Sequence, residues 1–183
     1  KIKSWQYVLS FAWETAKIII ISLAIIIPIR YFLFQPFFVR GASMEPNFEN
    51  GEYLIIDEIS YRFHEPERGD VIVFKYPKHP SQYYIKRIVA LPEEVIRIED
   101  GKITIFSKEN PIGFILDEPY LSEENKFTPG NLEINLDEND YFVLGDNRQA
   151  SSDSRIWGSV PRHYIIGQPR LRAWPFDRVG ILD

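Results

Sequence analysis

Between Ile18 and Phe38 the chain reads IIIISLAIIIPIRYFLFQPFF, broken only by Ser22, Pro28, Arg30, Gln35 and Pro36. No other stretch limits folding as severely. A membrane-spanning helix needs about 20 mostly apolar residues, and one small domain within 183 residues would struggle to cover such a run. Lys1, Lys3 and Lys17 flank its start, so the positive-inside rule places the N-terminus on the cytoplasmic side. Arg30 lies past the middle, where its side chain can snorkel toward headgroups. Tyr31, Phe32, Phe34, Phe37 and Phe38 read as an interfacial aromatic belt, and Pro28 and Pro36 are expected to kink and then end the helix. A cleaved leader is the competing reading. It would need a shorter apolar region and then a small-x-small site, and QPFFVRGAS, crowded by Phe38 and Arg40, fits that poorly. The expected organisation is a cytoplasmic segment over 1–15, an anchor over 16–38, and a domain over 39–183 on the far side of the membrane. The chain opens on Lys1, so its natural start is expected upstream.

The remaining residues are enough for a hydrophobic core. A net charge of -5 with scattered basic residues argues against nucleic acid as a partner. The absence of cysteine removes disulfides, thiolate metal sites and cysteine nucleophiles together. His64, His79 and His163 have no short ligand spacing, so neither a metal nor another cofactor is expected.

From Glu52 onward the apolar segments are short, β-branched and aromatic: YLIIDEI, DVIVFKY, YYIKRIVAL, VIRIE, KITIF, LEINL and YFVLG. Asp100-Gly101 joins two alternating runs, the preferred sequence of a type I′ hairpin turn. No long 3.6-residue periodicity follows residue 50. The expected fold class is therefore mostly β: one transmembrane helix, then an antiparallel β-rich domain. Residues 108–131 are polar and irregular and read as a surface excursion or a reduced second subdomain. The Arg68-Gly69-Asp70 triplet opens an apolar strand, so it reads as a turn rather than an adhesion motif.

Three places carry candidate chemistry. Ser43 lies in VRGASMEPNFENGEYL, among small residues directly after the apolar run. It either starts a turn or acts as a nucleophile. With no histidine or cysteine near it, its activation would need another base, and a lysine serves if burial keeps its amine neutral. Lys86 is a candidate, because strand alternation places Tyr84, Lys86 and Ile88 on one face and Arg87 on the other. The alternative is an edge-strand lysine whose ammonium reaches water. The third place is GDNRQASSDSRIWG, Gly145 to Gly158, which gathers Asp146, Arg148, Ser151, Asp153, Ser154 and Arg155 behind an apolar strand. It is either a solvated turn or a brace of carboxylate–guanidinium pairs.

The chain resembles the type I signal peptidases, membrane-bound serine proteases with a Ser/Lys dyad. GASMEP is similar to the family's nucleophile box, RGDVIVF to the next box, YYIKRIVALP to the lysine box, GDNRQASSDSRIWG to the last box, and LRAWPFDRVG to the C-terminal end. The resemblance implies Ser43 as nucleophile and Lys86 as general base. It implies Ser151 as the residue that hydrogen-bonds the lysine amine, Asp153 and Arg155 as a supporting ion pair, and Asp146 as a further supporting residue. The Ser43 backbone N–H would be one oxyanion donor. Some family members supply a second donor from a serine two positions earlier, where this chain has Gly41. The lysine box often continues with glycine after LP, where this chain has Glu93.

The resemblance further implies preproteins bearing signal peptides as partners, cleavage after small-x-small sites, and a catalytic domain outside the plasma membrane of a bacterium. Gln35 and Ser43 are eight positions apart, at most roughly 28 Å of chain. That tether keeps Ser43 near the bilayer surface, where a membrane-inserted signal peptide presents its site. A Ser/Lys autoproteolytic repressor shares the dyad logic but would carry a DNA-binding segment that is missing here. A non-cutting, membrane-tethered scaffold has no use for Ser43, Lys86 and the full last box.

Overall fold

The computed structural model describes residues 2–32 and 34–182, and within them the side chains of residues 5–27 and 36–182. Helix α1 spans Ile2–Phe32. Its window Trp5–Ile27 is long and apolar enough to cross a membrane, and none of it is buried against the rest of the chain. Helical spacing brings Lys17 within 2.8 Å of Glu14.

The helix begins and ends earlier than the apolar run implies. Residues 34–38, expected as the end of the anchor, form strand β1 (Phe34–Phe38). Pro36 supplies the physical reason: it cannot continue a helix, yet an edge strand tolerates it. The helix runs through Pro28. The snorkelling expected of Arg30 and the belt positions Tyr31, Phe32 and Phe34 fall on side chains outside the described residues. Of the rest of that belt, Phe38 is exposed, while Phe37 packs edge-on against Tyr83, ring centroids 6.5 Å apart.

The other strands follow in chain order: β2 (Tyr53–Asp57), β3 (Val71–Lys75), β4 (Tyr83–Ala90), β5 (Val95–Glu99), β6 (Lys102–Phe106), β7 (Phe114–Ile115), β8 (Leu132–Asn135), β9 (Asp140–Leu144), β10 (Val160–Pro161), β11 (Ile165–Trp174) and β12 (Gly180–Ile181). One short helix, α2 (Ser154–Trp157), precedes β10. The mostly β architecture behind an apolar N-terminal helix is the expected one, and all seven apolar segments of the sequence contain strands. At the β5–β6 turn, Asp100 and Gly101 both take left-handed backbone, with φ of 50° and 76°, as a type I′ turn requires.

The strands form two antiparallel sheets. The larger runs β1-β2-β11-β3-β4-β9-β10, with β12 on β11; the smaller runs β7-β6-β5-β8. Ile96, Ile98, Ile103 and Ile105 of the smaller sheet pack with Val89, Ala90, Phe142 and Leu144 of β4 and β9. A second cluster holds Ile72, Phe74, Ile88, Val143 and Trp157. A third holds Val39, Met44, Phe48, Leu54, Ile56, Val73 and Ile85, next to the segment that carries Ser43. Full burial of each such side chain stabilises the fold by about 1.5–3 kcal/mol.

Residues 108–131 are more than a surface excursion. Leu121, Asn125 and Thr128 are buried, and Glu118 and Thr128 both bind Arg148 of the last box. The Arg68–Asp70 triplet is internally engaged. Arg68 donates to the Val89 carbonyl at 2.6 Å and pairs with Glu94 at 2.5 Å. Asp70 accepts from the Tyr61 hydroxyl and the Glu67 N–H.

Candidate active site

Ser43 sits on a loop whose neck is closed by backbone pairing. Val39 N–H donates to the Glu52 carbonyl at 2.9 Å, and Gly51 N–H donates to the Val39 carbonyl at 3.0 Å. The Asn50 Oδ1 accepts from Gly41 N–H at 2.9 Å. Met44 and Phe48 insert into the core on either side of the cis-linked Pro46, so apolar burial pins the loop while Ser43 stays half-exposed. Gly41 has φ 89°, which penalises any side chain there, although a Cβ would meet no atom within 4 Å. A serine at 41 would have space but a strained backbone.

Lys86 arrives from β4. Its register partner is Ile72 of β3, and Tyr84 and Ile88 flank it on the same face, as strand alternation predicts. Only 4% of the residue is exposed. Its Nζ donates to Ser43 Oγ at 2.7 Å and to the Ile85 carbonyl at 2.8 Å, and lies 5.6 Å from the Tyr84 ring centroid. Burial pushes its pKa down from the ordinary value to about 8, against the opposing pull of Asp153 and Asp146. The shift is worth about 3 kcal/mol against the charged form. Both opposing carboxylates already face guanidinium groups, which leaves desolvation dominant.

Those guanidinium pairs make up the brace. Asp153 caps α2 and accepts from Arg155 Nε and Nη2, each at 2.8 Å, and from Gly145 N–H at 3.1 Å. Asp146, 1% exposed, holds Arg87 in a two-pronged pair at 2.9 and 2.7 Å and accepts from Asn47 Nδ2 at 2.8 Å. Arg87 thus leaves β4 on the face opposite Lys86, with its guanidinium 4.0 Å from the Tyr120 ring centroid. Of the two readings open for this stretch, the brace is the one observed.

Ser151 differs from expectation. Its hydroxyl is buried, and among the described residues it has no hydrogen-bond partner; Lys86 instead donates to Ser43 and Ile85. Ser151 does pack against Gly145, where an added Cβ would overlap both Ser151 Oγ and the Ser43 carbonyl. At Gly145 the Ser43 loop and the last box touch through bare backbone.

Several contacts of the site had no local signal in the sequence, even where one member, Arg148, stood in a stretch already marked as a candidate. Asn147 donates its N–H to the Ser43 carbonyl and its Nδ2 to the Ala42 carbonyl, both at 3.1 Å. Buried Arg148 joins the Gly145 carbonyl to Glu118 and Thr128. Buried Glu52 pairs with Arg172 and Arg178 at 2.9 Å each. These partners lie far apart in sequence, so no short-range pattern announces them. Glu93 is the reverse case: it adopts φ 63°, the backbone that glycine takes freely, at the position where the resemblance leads one to expect glycine.

Ser43 and Lys86 open onto a cleft of about 590 Å³, walled by Phe37, Tyr83, Tyr84 and Ile85 and by Ala150 and Ser152. Along β4 the partner strand β9 pairs only from Arg87 onward, whereas β3 pairs from Tyr83. The Tyr83–Lys86 segment therefore offers a free backbone edge toward the cleft. Ser43 N–H donates to no group among the described residues. Nor do those residues include a group of three or more His, Asp or Glu arranged to hold a metal.

A buried amine against a hydroxyl, in a cleft that can take an extended chain, defines a hydrolase-type site beside an apolar anchor. The profile of the family described as "Signal peptidase, peptidase S26" matches residues 12–174. Relatives include the probable signal peptidase I-2 of Synechocystis sp., 36% identical over 92% of this chain and 76% of its own length. The signal peptidase I of Leptolyngbya laminosa is 36% identical over 92% and 83%, and that of Bacillus licheniformis 32% identical over 94% and 93%. A solved signal peptidase I from Enterococcus faecalis V583 matches with TM-score 0.48 and 30% identity over 57% of this chain and 97% of that one. The chain belongs to the signal peptidase family, peptidase S26: it is a serine peptidase of the kind that removes signal peptides from preproteins.

Proposed function

We propose that Ser43 and Lys86 are the catalytic nucleophile and general base of a membrane-bound endopeptidase that cuts preproteins after small-x-small sites. The observation that carries this reading is the 2.7 Å contact between Ser43 Oγ and an Nζ that is almost fully buried. In the charged state the amine donates in that contact. Once neutral, it accepts the hydroxyl proton along the same line.

The scissile carbonyl is attacked by Ser43 Oγ while Lys86 takes its proton. The free Ser43 N–H stabilises the oxyanion; one such donor is typically worth about 3–4 kcal/mol. Protonated Lys86 then gives its proton to the leaving amine, and the bond from carbonyl carbon to nitrogen breaks. An acyl-enzyme on Ser43 remains. Neutral Lys86 next deprotonates a water that attacks the ester, and the proton returns to Ser43 as the acid product leaves. The role of holding the neutral amine is assigned to Ser151 from the family resemblance; its buried hydroxyl is unpartnered among the described residues, and the neutral amine keeps an N–H to spare. Asp153–Arg155 and Asp146–Arg87 support the pair from behind. The free edge of Tyr83–Lys86 suits an extended substrate segment adding as a strand, and the preference for small side chains is what membership of the family implies. With the basic flank of α1 in the cytoplasm, the domain from residue 39 lies outside the plasma membrane, at the height where signal peptides emerge.

Ser43→Ala and Lys86→Ala tested on a preprotein are each expected to lower the processing rate by at least about 10³-fold. Processing by either variant at near wild-type rate would sink the dyad. Labelling by an acylating inhibitor should be lost in Ser43→Ala and kept in a folded Arg97→Ala control.

A further inference from the structure

The cleft contains a permanent cation that the proposed chemistry does not use. Arg40 lines it, three residues before the nucleophile. Its backbone is fixed from both sides, by the pairing of Val39 with Glu52 and Gly51 and by Asn50 holding the Gly41 N–H. Its side chain is exposed and, among the described residues, forms no ion pair and no hydrogen bond. A rigid base with an unengaged guanidinium is the arrangement of a recognition residue rather than of a structural one.

The charge surroundings favour one ligand class. The protein carries 26 acidic against 21 basic residues, yet no Asp or Glu is among the residues that line the cleft. Most other arginines of the domain are taken up by internal carboxylates, among them Arg68, Arg87, Arg148, Arg155, Arg172 and Arg178. Potential inside a concave, low-dielectric site is focused, so the cleft is locally positive on an acidic molecule.

We infer that Arg40 is a specificity-determining residue that favours substrates with a carboxylate side chain close to the scissile bond and disfavours those with a cation there. This inference rests on the peptidase reading of the cleft. It adds a charge filter to a site whose walls otherwise read only size. A partly exposed ion pair of this kind is expected to change turnover by about two- to five-fold, and the effect should fade as salt rises.

The test uses the full chain in detergent with a series of signal-peptide substrates. Glu, Gln or Lys is placed in turn at each position flanking the cleavage site, and kcat/KM is measured for wild type, Arg40→Gln and Arg40→Glu. At one or more positions wild type should prefer Glu over Lys by about two- to five-fold. Arg40→Gln should abolish that ratio and Arg40→Glu should invert it. A wild-type ratio of one at every position overturns the inference, as does a ratio unaffected by either variant. Loss of Gln-substrate cleavage in Arg40→Gln also overturns it, because Arg40 would then serve the cleavage machinery. Unchanged ratios with weakened binding of Arg40→Gln to anionic vesicles would assign the guanidinium to lipid headgroups instead. If wild type cleaves none of the substrates, the peptidase reading falls and this inference falls with it.

Discussion

Lys86 shows how packing at one position lowers the basicity of an amine. Ile72 opposite, and Tyr84 and Ile88 beside it, strip water from its amine, and the nearest acids are already paired to arginines. With a pKa near 8, the neutral base is scarce in acid and abundant above pH 8. The expected pH profile of kcat/KM therefore rises about tenfold per unit below pH 8 and levels above it. Replacing Arg155 by Gln leaves Asp153 uncompensated beside the amine and should move this limb to higher pH. A pH–rate series on both proteins checks it. The linkage to stability has the matching sign. The folded pKa lies below the unfolded one, so the unfolded chain binds the extra proton between pH 8 and 10.5, and stability from this group rises with pH across that window. At this scale the sequence was partly legible: alternation placed Lys86 on an apolar face, but periodicity alone could not separate a buried amine from a snorkelling one. The Ser43 contact that decides it spans 43 residues.

Among the elements, the legible strands are those that are apolar and β-branched. β11 was not read as a strand because Gly167, Pro169, Arg170 and Arg172 break its pattern, even though it pairs with β2, β3 and β12. Its register shifts at Pro169 and again after Arg172 accommodate those residues. The strand and the turn after it also hold the Ser43 loop. Arg172 bonds Glu52 and the Asn47 carbonyl, at 2.9 and 2.7 Å. Arg178 reaches Glu49 at 2.5 Å and lies 2.9 Å from Glu52, close enough for an ion pair though off-line for a hydrogen bond. Glu52→Gln keeps the shape and removes the charge that both arginines face. It is expected to cost about 3 kcal/mol, because a buried pair loses one member, and to lower Tm by roughly 6–12 °C for a chain of this size. Thermal unfolding monitored by circular dichroism tests this. An unchanged Tm would mean that the arginines are held by the loop carbonyls alone.

For the molecule as a whole, hydropathy announced the long apolar helix but misplaced its end. It counts apolar residues without asking whether they pair as a strand, and FQPFF does pair, in register with Tyr53–Asp57 of β2. The domain sheet therefore starts two positions beyond the last helical residue, leaving little slack between α1 and the loop of Ser43. In sealed inside-out vesicles the domain from residue 39 should resist added protease until detergent is supplied, while the segment before the apolar window should be clipped. Immunoblots against each end would read this out, and clipping of the domain in intact vesicles would reverse the orientation.

The order of the large sheet also bears on how the enzyme comes into being. β2 and β3 do not pair with each other; β11 lies between them. The chain order Ser43, Lys86, β11 therefore puts the serine and the lysine well ahead of the strand that joins β2 and β3 in one sheet. A chain synthesised only as far as β10 would hold both groups without the strand that sets one sheet around them.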